Sequence, residues 1–436
     1  MTVIVPSHFE TTGPRRSIPD LSSDLWLRYL FPREKKQFVE KLFLGGMLLL
    51  GLVMSGPSSA EQWYLEPKVS LKSLYDDNLR LVSKDEESTF GAILRGEARA
   101  GVRAETYDIA INSAVDVERY SDISDYDTED FYFDLSSRYR SGLNEFGLDG
   151  AWDLDTNQQS ELETSGRVQF LVDRDRRFLS PSWTRTLSER ASVTGAVGYT
   201  DLDWSSDSDA LRAGLFDYTY AVANASWDYQ LTETITTTAR FDYGRYEADD
   251  IQTKTDNYNG LLGASIAFSE TLSASLAGGY RYTQSEFIDN QRKLVNESDT
   301  GYLIDSSLSK RFERSTLTAR LSRSTQPSGQ GNLVETTRVS VNWDYKISPR
   351  WLFTLNAAKS NIKTARDQLT TDDERDYHYF SPKILWRATP WWAISGSYRY
   401  RDQEYQDTNR SATSNAVYLT IAYTWPKESV SKWSVY

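Results

Sequence analysis

The 436-residue chain has no cysteine. That excludes disulfides, thiolate metal sites and lipoprotein acylation, and is permissive of passage through an oxidising compartment. Histidine is nearly missing as well: the two are His8 and His378. With so few imidazoles and no thiolate, a transition-metal site has too few ligands, and no metal or other cofactor is expected. Long apolar runs are scarce. The one present, Leu42 to Met54, is about 13 residues, against the roughly 20 that a spanning helix needs. Glycine and proline, 24 and 12 in number, are too sparse for the punctuation of a short-strand sandwich or for a linker. One continuous domain follows, because the texture does not change after about residue 60. Basic residues are in deficit, 49 against 62 acidic, for a net charge of −13. No basic stripe with interleaved aromatics is present, which argues against nucleic acid as a partner.

What is present begins with a targeting segment. Arg33, Lys35, Lys36 and Lys41 precede the apolar run at 42–54, and Gly56, Pro57, Ser58, Ser59 and Ala60 follow it. Small residues at Ser58 and Ala60 fit a signal-peptidase site, so residues 1–60 read as an N-terminal extension plus signal peptide, cleaved near Ala60. A single membrane anchor is the alternative. Residues 1–32 carry no pattern; a start-codon artefact would explain them.

From residue 61 the dominant signal is strict alternation over stretches of ten residues or more. In Leu272 to Thr283, Leu272, Ala274, Leu276, Gly278, Tyr280 and Tyr282 share one face, while Ser273, Ser275, Ala277, Gly279, Arg281 and Thr283 lie on the other. Aromatics reach 13 %, yet hydrophobic residues are only 39 % and the mean hydropathy is −0.57, so half of each strand must face water. An all-β, antiparallel up-and-down transmembrane barrel over 61–425, with a tail at 426–436, accounts for both. A soluble sandwich or propeller is the competing fold. Period two and turn residues place strands near 63–75, 90–103, 106–120, 130–141, 144–156, 172–187, 189–204, 214–230 and 233–248. Nine more fall near 256–269, 271–286, 299–312, 315–326, 333–347, 350–364, 375–388, 391–405 and 414–425. The expected count is eighteen, with sixteen as second choice. Short turns such as Ser269-Glu270-Thr271 and Phe312-Glu313-Arg314 would be periplasmic. Polar segments at 121–129, 205–211, 288–298 and 365–374 would be external loops.

Lipid-facing aromatics cluster toward strand ends, and Tyr280, Tyr282, Trp343, Tyr345, Trp351, Trp392, Tyr398, Tyr400, Tyr423 and Trp425 are the expected interfacial girdles. Facing inward are Arg95, Glu97, Arg99, Arg103, Arg281, Arg338, Asp344, Arg399 and Arg401, the expected lumen lining. Their guanidinium groups suit selection of anionic solutes; equally, they suit pairing with wall carboxylates that braces the barrel. The longest connection, 156–173, is expected to fold into the mouth and narrow it. No catalytic set stands out: His378 lies among aromatics, the acidic run Asp122 to Asp130 lacks the spacing of a calcium loop, and the inward carboxylates Glu97, Asp108, Asp116 and Glu118 carry no motif.

The segment Tyr64-Leu65-Glu66-Pro67-Lys68-Val69-Ser70-Leu71, followed by Tyr75-Asp76-Asp77-Asn78-Leu79-Arg80, resembles the opening of the β-barrel porin 2 family of outer-membrane proteins. Leu179-Ser180-Pro181-Ser182-Trp183 leading into Leu187-Ser188-Glu189-Arg190 resembles a recurring hairpin of that group. The resemblance spans roughly 61–425. It implies an outer-membrane barrel tied to exopolysaccharide export and exosortase-type systems, and supplies no catalytic residues. The tail after Trp425 departs from the usual terminal aromatic strand, and either Trp425 or Tyr436 would serve as assembly signal. The expectation is therefore a porin-like channel in a Gram-negative outer membrane, for polysaccharide export or diffusion of hydrophilic solutes. Outer-membrane lipid and lipopolysaccharide would be its partners, with polysaccharide export machinery a further one. A hydrolytic enzyme at His378, or a closed structural barrel working with a secretion partner, are the alternatives.

Overall fold

A computed structural model of the chain describes residues 61–166, 168–205, 214–288, 292–364, 374–406, 410–425 and 428–429. The expected signal segment, most of the loops expected at 205–211 and 365–374, and most of the tail at 426–436, Tyr436 included, lie outside the described residues. Eighteen long strands run β1 Gln62–Asp76, β2 Thr89–Arg103, β3 Tyr107–Tyr120, β4 Thr128–Ser141, β5 Asn144–Thr156, β6 Asp173–Ser188, β7 Ala191–Trp204, β8 Tyr218–Gln230 and β9 Ile235–Ala248. The series continues with β10 Thr253–Ser269, β11 Leu272–Ile288, β12 Leu294–Arg311, β13 Ser315–Ser328, β14 Asn332–Lys346, β15 Trp351–Thr364, β16 Arg375–Arg387, β17 Trp392–Tyr405 and β18 Arg410–Thr424. Each pairs antiparallel with its sequence neighbours, and β1 pairs with both β2 and β18. The sheet is thus a closed barrel, in which every long strand is paired on both sides over at least part of its length. A two-residue strand β19, Glu428–Ser429, extends the β18 side against Leu65 and Tyr64.

Alternation decides the two faces. The ladder that pairs Lys68 with Glu97 and Arg95 with Asp116 defines the inside, and the one that pairs Leu71 with Leu94 and Val69 with Gly96 the outside. Large apolar side chains point out and stay exposed, among them Leu262, Leu276, Val339, Val417 and Leu419. In a water-soluble protein that surface would drive aggregation; as a band around a closed barrel it suits lipid. Prolines mark interruptions: the β6–β7 ladder lapses at Ser180 and Pro181 and the β16–β17 ladder at Ser381 and Pro382, where one N–H is missing.

The observed strands match the sequence-based set in number, and most ends agree within four residues. The largest departure is β12, which starts at Leu294 rather than 299, so much of the loop expected at 288–298 is strand. Asn296, Glu297 and Ser298 pair with Glu286, Ser285 and Gln284. The inner face of that hairpin is covered, with Thr283, Ser285 and Phe287 buried, while outward Gln284, Glu286, Asn296 and Ser298 are polar and exposed, so the apolar alternation disappears while the ladder continues.

Candidate functional site

One end of the barrel carries short turns, the other long connections. Three segments at the long-connection end turn inward and pack together in the mouth: residues 77–88 between β1 and β2, residues 157–172 between β5 and β6, and the tip of the β13–β14 hairpin.

The first segment is pinned by Asp76, which is fully buried. Its carboxylate accepts from Asn78 N (3.0 Å), from Ser414 Oγ (2.7 Å) and from Arg401 Nη2 (3.0 Å), with Arg399 Nη2 at 3.4 Å. Asn78 Nδ2 donates to Val82 O and Thr413 O, and Gln403 Nε2 donates to Leu81 O. Leu81 takes a left-handed φ of 49°, strained for a leucine. Its side chain is held in a core with Val168, Val334, Ile362, Tyr377 and Ala412.

The second segment crosses the lumen. Asn157 and Val172 close its base, Asn157 N donating to Val172 O (3.0 Å) and Val172 N to Asn157 Oδ1 (2.9 Å). At its far point Arg375 of β16 donates from Nη2 to Leu162 O (2.6 Å), Tyr405 of β17 donates to Gly166 O (3.2 Å), and Arg338 of β14 binds Glu163 (2.7 Å). Strand β14 stands nine places from β5 in an eighteen-strand ring, so the segment reaches the opposite wall. Gly166 is required there: its φ is +71°, and a Cβ would sit 2.5 Å from Arg375 Nη1. Tyr126, from the β3–β4 connection, donates to Gln169 O (2.7 Å) and Val168 O (3.2 Å), and burial pushes its phenol up, so it stays a donor. The expectation that 156–173 folds into the mouth is met.

The third segment is the hairpin tip. Tyr246 of β9 donates to Ser328 O (3.0 Å), Phe216 N to Gly329 O (2.7 Å), and Gly329 N to Glu161 Oε1 (3.3 Å). Leu333 is buried with Val172, Leu202, Trp204, Leu215, Tyr218, Tyr246 and Ala248. Gly331, at φ +79°, lies against Ile251 with no room for a side chain. A third core, Leu74, Leu79, Ile93, Tyr120, Ile123 and Tyr126, closes the β1–β4 side.

The inward groups named from the sequence fall into two environments. Toward the short-turn end they are solvated and paired: Arg95 lies 2.7 Å from Asp116 and 3.1 Å from Glu97, Lys68 is 2.9 Å from Glu97, and Arg103 pairs with Asp108 at the rim. Asp344 accepts from Thr354 Oγ1 (2.7 Å), and Arg99 lies over the Tyr64 ring. In the mouth, Arg281 and Arg401 are 2 % and 4 % exposed and belong to ion clusters, not to open wall. Arg338 and Arg399 stand between, half-buried, over Tyr379 and Tyr418. Lys72 approaches the same Tyr418 ring, and Arg95 that of Tyr132.

The girdle residues lie outside. Tyr280, Tyr282, Trp351, Trp392 and Trp425 are exposed, and Trp343, Tyr345, Tyr398, Tyr400 and Tyr423 partly so. Trp351 stacks on Trp386, and Tyr423 lies between Trp392 and Trp425. His378 is on the outward parity with Lys359 and Asp402 as register partners, and no hydroxyl faces it there. Among the described residues no group of three His, Asp or Glu could hold a metal ion.

The plug residues were missed by sequence reasoning. Their signal was present: Ile93, Leu202, Trp204, Tyr218, Tyr246, Ile362 and Tyr377 all sit at inward positions near strand tops, where water-facing polar groups are the rule.

No family model matches the chain, nor does any curated protein, so the β-barrel porin 2 resemblance gains no support from them. Solved structures are similar at low identity. Acinetobacter baumannii OccAB4 is 12 % identical with a TM-score of 0.46, over 85 % of this chain and 100 % of that one. Acinetobacter baumannii OccAB3 is 10 % identical (TM-score 0.44; 84 % and 99 % covered), and Pseudomonas aeruginosa OpdO 13 % identical (TM-score 0.43; 84 % and 97 % covered).

Proposed function

We propose that the protein is an outer-membrane, porin-like channel through which small hydrophilic solutes diffuse, with a mouth narrowed by three inward segments. The observation that carries this reading is the closed ring of eighteen strands with an apolar outer band and a charged inner wall. A ring of that number encloses water below the plug. In this reading the long connections face outside, the apolar band meets outer-membrane lipid and lipopolysaccharide, and the chain reaches the membrane after cleavage near Ala60.

The cargo proposed is an anionic saccharide, with export of an exopolysaccharide and an export machinery at the short-turn end as the finer form. Its support is the pairing of cations with rings along one wall: Arg95 with Tyr132, and Arg399 and Lys72 with Tyr418. Aromatic faces suit sugar rings and the cations suit carboxylates. The test is single-channel conductance of the chain from Glu61, with and without anionic oligosaccharide, beside a variant whose residues 159–169 are replaced by a short Gly-Ser linker. Steady conductance, block by the sugar and a several-fold rise in the variant are expected. Silence from both folded barrels would overturn the channel. The second reading, a closed barrel acting with a secretion partner, is favoured by the three buried cores in the mouth, and that silence would support it.

A further inference from the structure

The ladder between β12 and β13 is incomplete. It holds from Arg311–Thr316 to Ile304–Arg323, eight pairs, whereas β11 and β12 are paired over seventeen. Above Ile304, residues 294–303 of β12 have no partner in β13, although β13 remains paired with β14 to the end of the hairpin. The cause is that the hairpin tip leaves the wall. It bends inward behind β9–β12, so that side chains of outward parity meet inward ones. Glu335, outward by register, is 2 % exposed and lies 3.3 Å from inward-facing Arg281, which also binds Asp299 at 2.6 Å. Arg323 and Lys363 reach the other oxygen of Glu335. Gly301 makes the overlap feasible, since a Cβ there would stand 2.8 Å from Arg281 Nη2 and 3.1 Å from Glu335 Oε2. On the outer side Arg323 covers the seam, its guanidinium 4.0 Å from the Tyr302 ring centre and donating to Tyr302 Oη at 2.9 Å.

Two features mark this position as one of two. The tip is imperfectly satisfied: Arg323 Nε and Thr325 Oγ1, of outward parity, and Asn332 Oδ1 and Thr336 Oγ1, on its other face, are buried with no hydrogen-bond partner among the described residues, an arrangement that disfavours a deep minimum. And a complementary edge stands ready. Extending the lower register by five residues would place Leu303 opposite Ser324 and Asp299 opposite Ser328, both strands already extended.

We propose that the β13–β14 tip is a gate with two positions: inward, latched by Glu335 between Arg281, Arg323 and Lys363, and in the wall, zipped onto β12. The consequence for flow rests on the channel reading; the movement itself does not. Moving the tip to the wall withdraws Ser328–Leu333 from the core around Tyr246 and widens the mouth.

The chain's lack of cysteine makes the test direct. Ser328 is 1 % exposed, so in the full-length folded barrel a Ser328→Cys thiol reacts slowly with a membrane-impermeant maleimide. Glu335→Gln is expected to speed that labelling about tenfold, the factor that one lost charged contact represents. Asp299→Cys with Ser328→Cys is expected to form a disulfide under oxidant, with Asp305→Cys and Ser322→Cys, partners in the standing ladder, as positive control. Conductance should rise when the 299–328 bridge forms and return on reduction. A control pair that bridges while 299–328 never does, with Ser328→Cys labelling unmoved by Glu335→Gln, would make the tip a fixed plug and overturn the proposal. If 299–328 bridges but no form conducts, the gate stands and the channel reading fails.

Discussion

Two carboxylates of the β1–β2 wall, one near its middle and one at the mouth, show how differently one barrel uses charge. Glu97 sits toward the short-turn end, about one-third exposed, between Lys68 and Arg95. Asp76 sits at the mouth, fully buried, holding Arg401, Ser414 and the turn into residues 77–88. Both pair with cations and both face inward. The first is a water-screened brace in a wall that would stand without it; the second is a structural joint of the plug, where no solvent replaces a lost partner. The inner surface is therefore two materials: a solvated ion-pair lattice below, and above it something closer to the core of a soluble domain.

The largest expected effect tests that division at its buried end. Asp76→Asn leaves Arg401 with a neutral neighbour in a site closed to water, where breaking one side of a pair costs about 3–5 kcal/mol. The cost should be local. Amide exchange at 77–82 should rise by two orders of magnitude or more while the β2 and β3 amides near Arg99 and Asn112 stay protected. Uniform loss of protection around the ring would mean that the plug and wall are one unit. Next in size is a contrast between the two faces of the wall. Val339, half exposed at the middle of β14, faces lipid, and its neighbour Ser340 faces inward. Val339→Arg should destabilise the folded barrel in bilayers by about 2–4 kcal/mol. Ser340→Arg should change it by less than about 1 kcal/mol, the scale of a solvated ion pair. Equal effects in a urea titration would dismiss the assignment of faces.

That assignment was legible in the sequence because lipid and water impose opposite demands at adjacent residues. Any strand that crosses the membrane must alternate, and Leu272 to Thr283 keeps its outer face free of charge while Ser273, Ser275, Arg281 and Thr283 lie within. Where the constraint lapses, legibility lapses with it. The outward positions of the β11–β12 tip carry Gln284, Glu286, Asn296 and Ser298 in place of apolar residues, so Leu294–Ser298 read as loop. The inward cores were only half legible for a different reason: Tyr246 and Ile362 stand out at positions that the barrel rule gives to polar groups, but nothing local says which distant segment covers them. Arg281 and Arg401 share the parity of Arg95, so spacing could not tell a wall cation from one under a plug. The crossing of 157–172 was anticipated from length alone; its anchors, Arg375 and Tyr405, lie more than two hundred residues away.

The smallest expected effect on stability is the most informative about conduction. Glu97→Gln removes the charge that Lys68 and Arg95 share. The group is partly exposed, so its loss should cost no more than about 1 kcal/mol, which melting in detergent can bound. The lumen consequence is larger than the energetic one. Arg95 keeps Asp116, but Lys68 loses the Glu97 carboxylate that it pairs with. One wall of the channel thus gains uncompensated positive charge, and the reversal potential in a salt gradient should move toward anions, more so at low ionic strength where screening is weak. Asp76→Asn should leave that potential nearly unchanged if its charge lies within the plug and not beside the ion path. A selectivity shift with Asp76→Asn and none with Glu97→Gln would invert the comparison and place the conducting path through the mouth cluster.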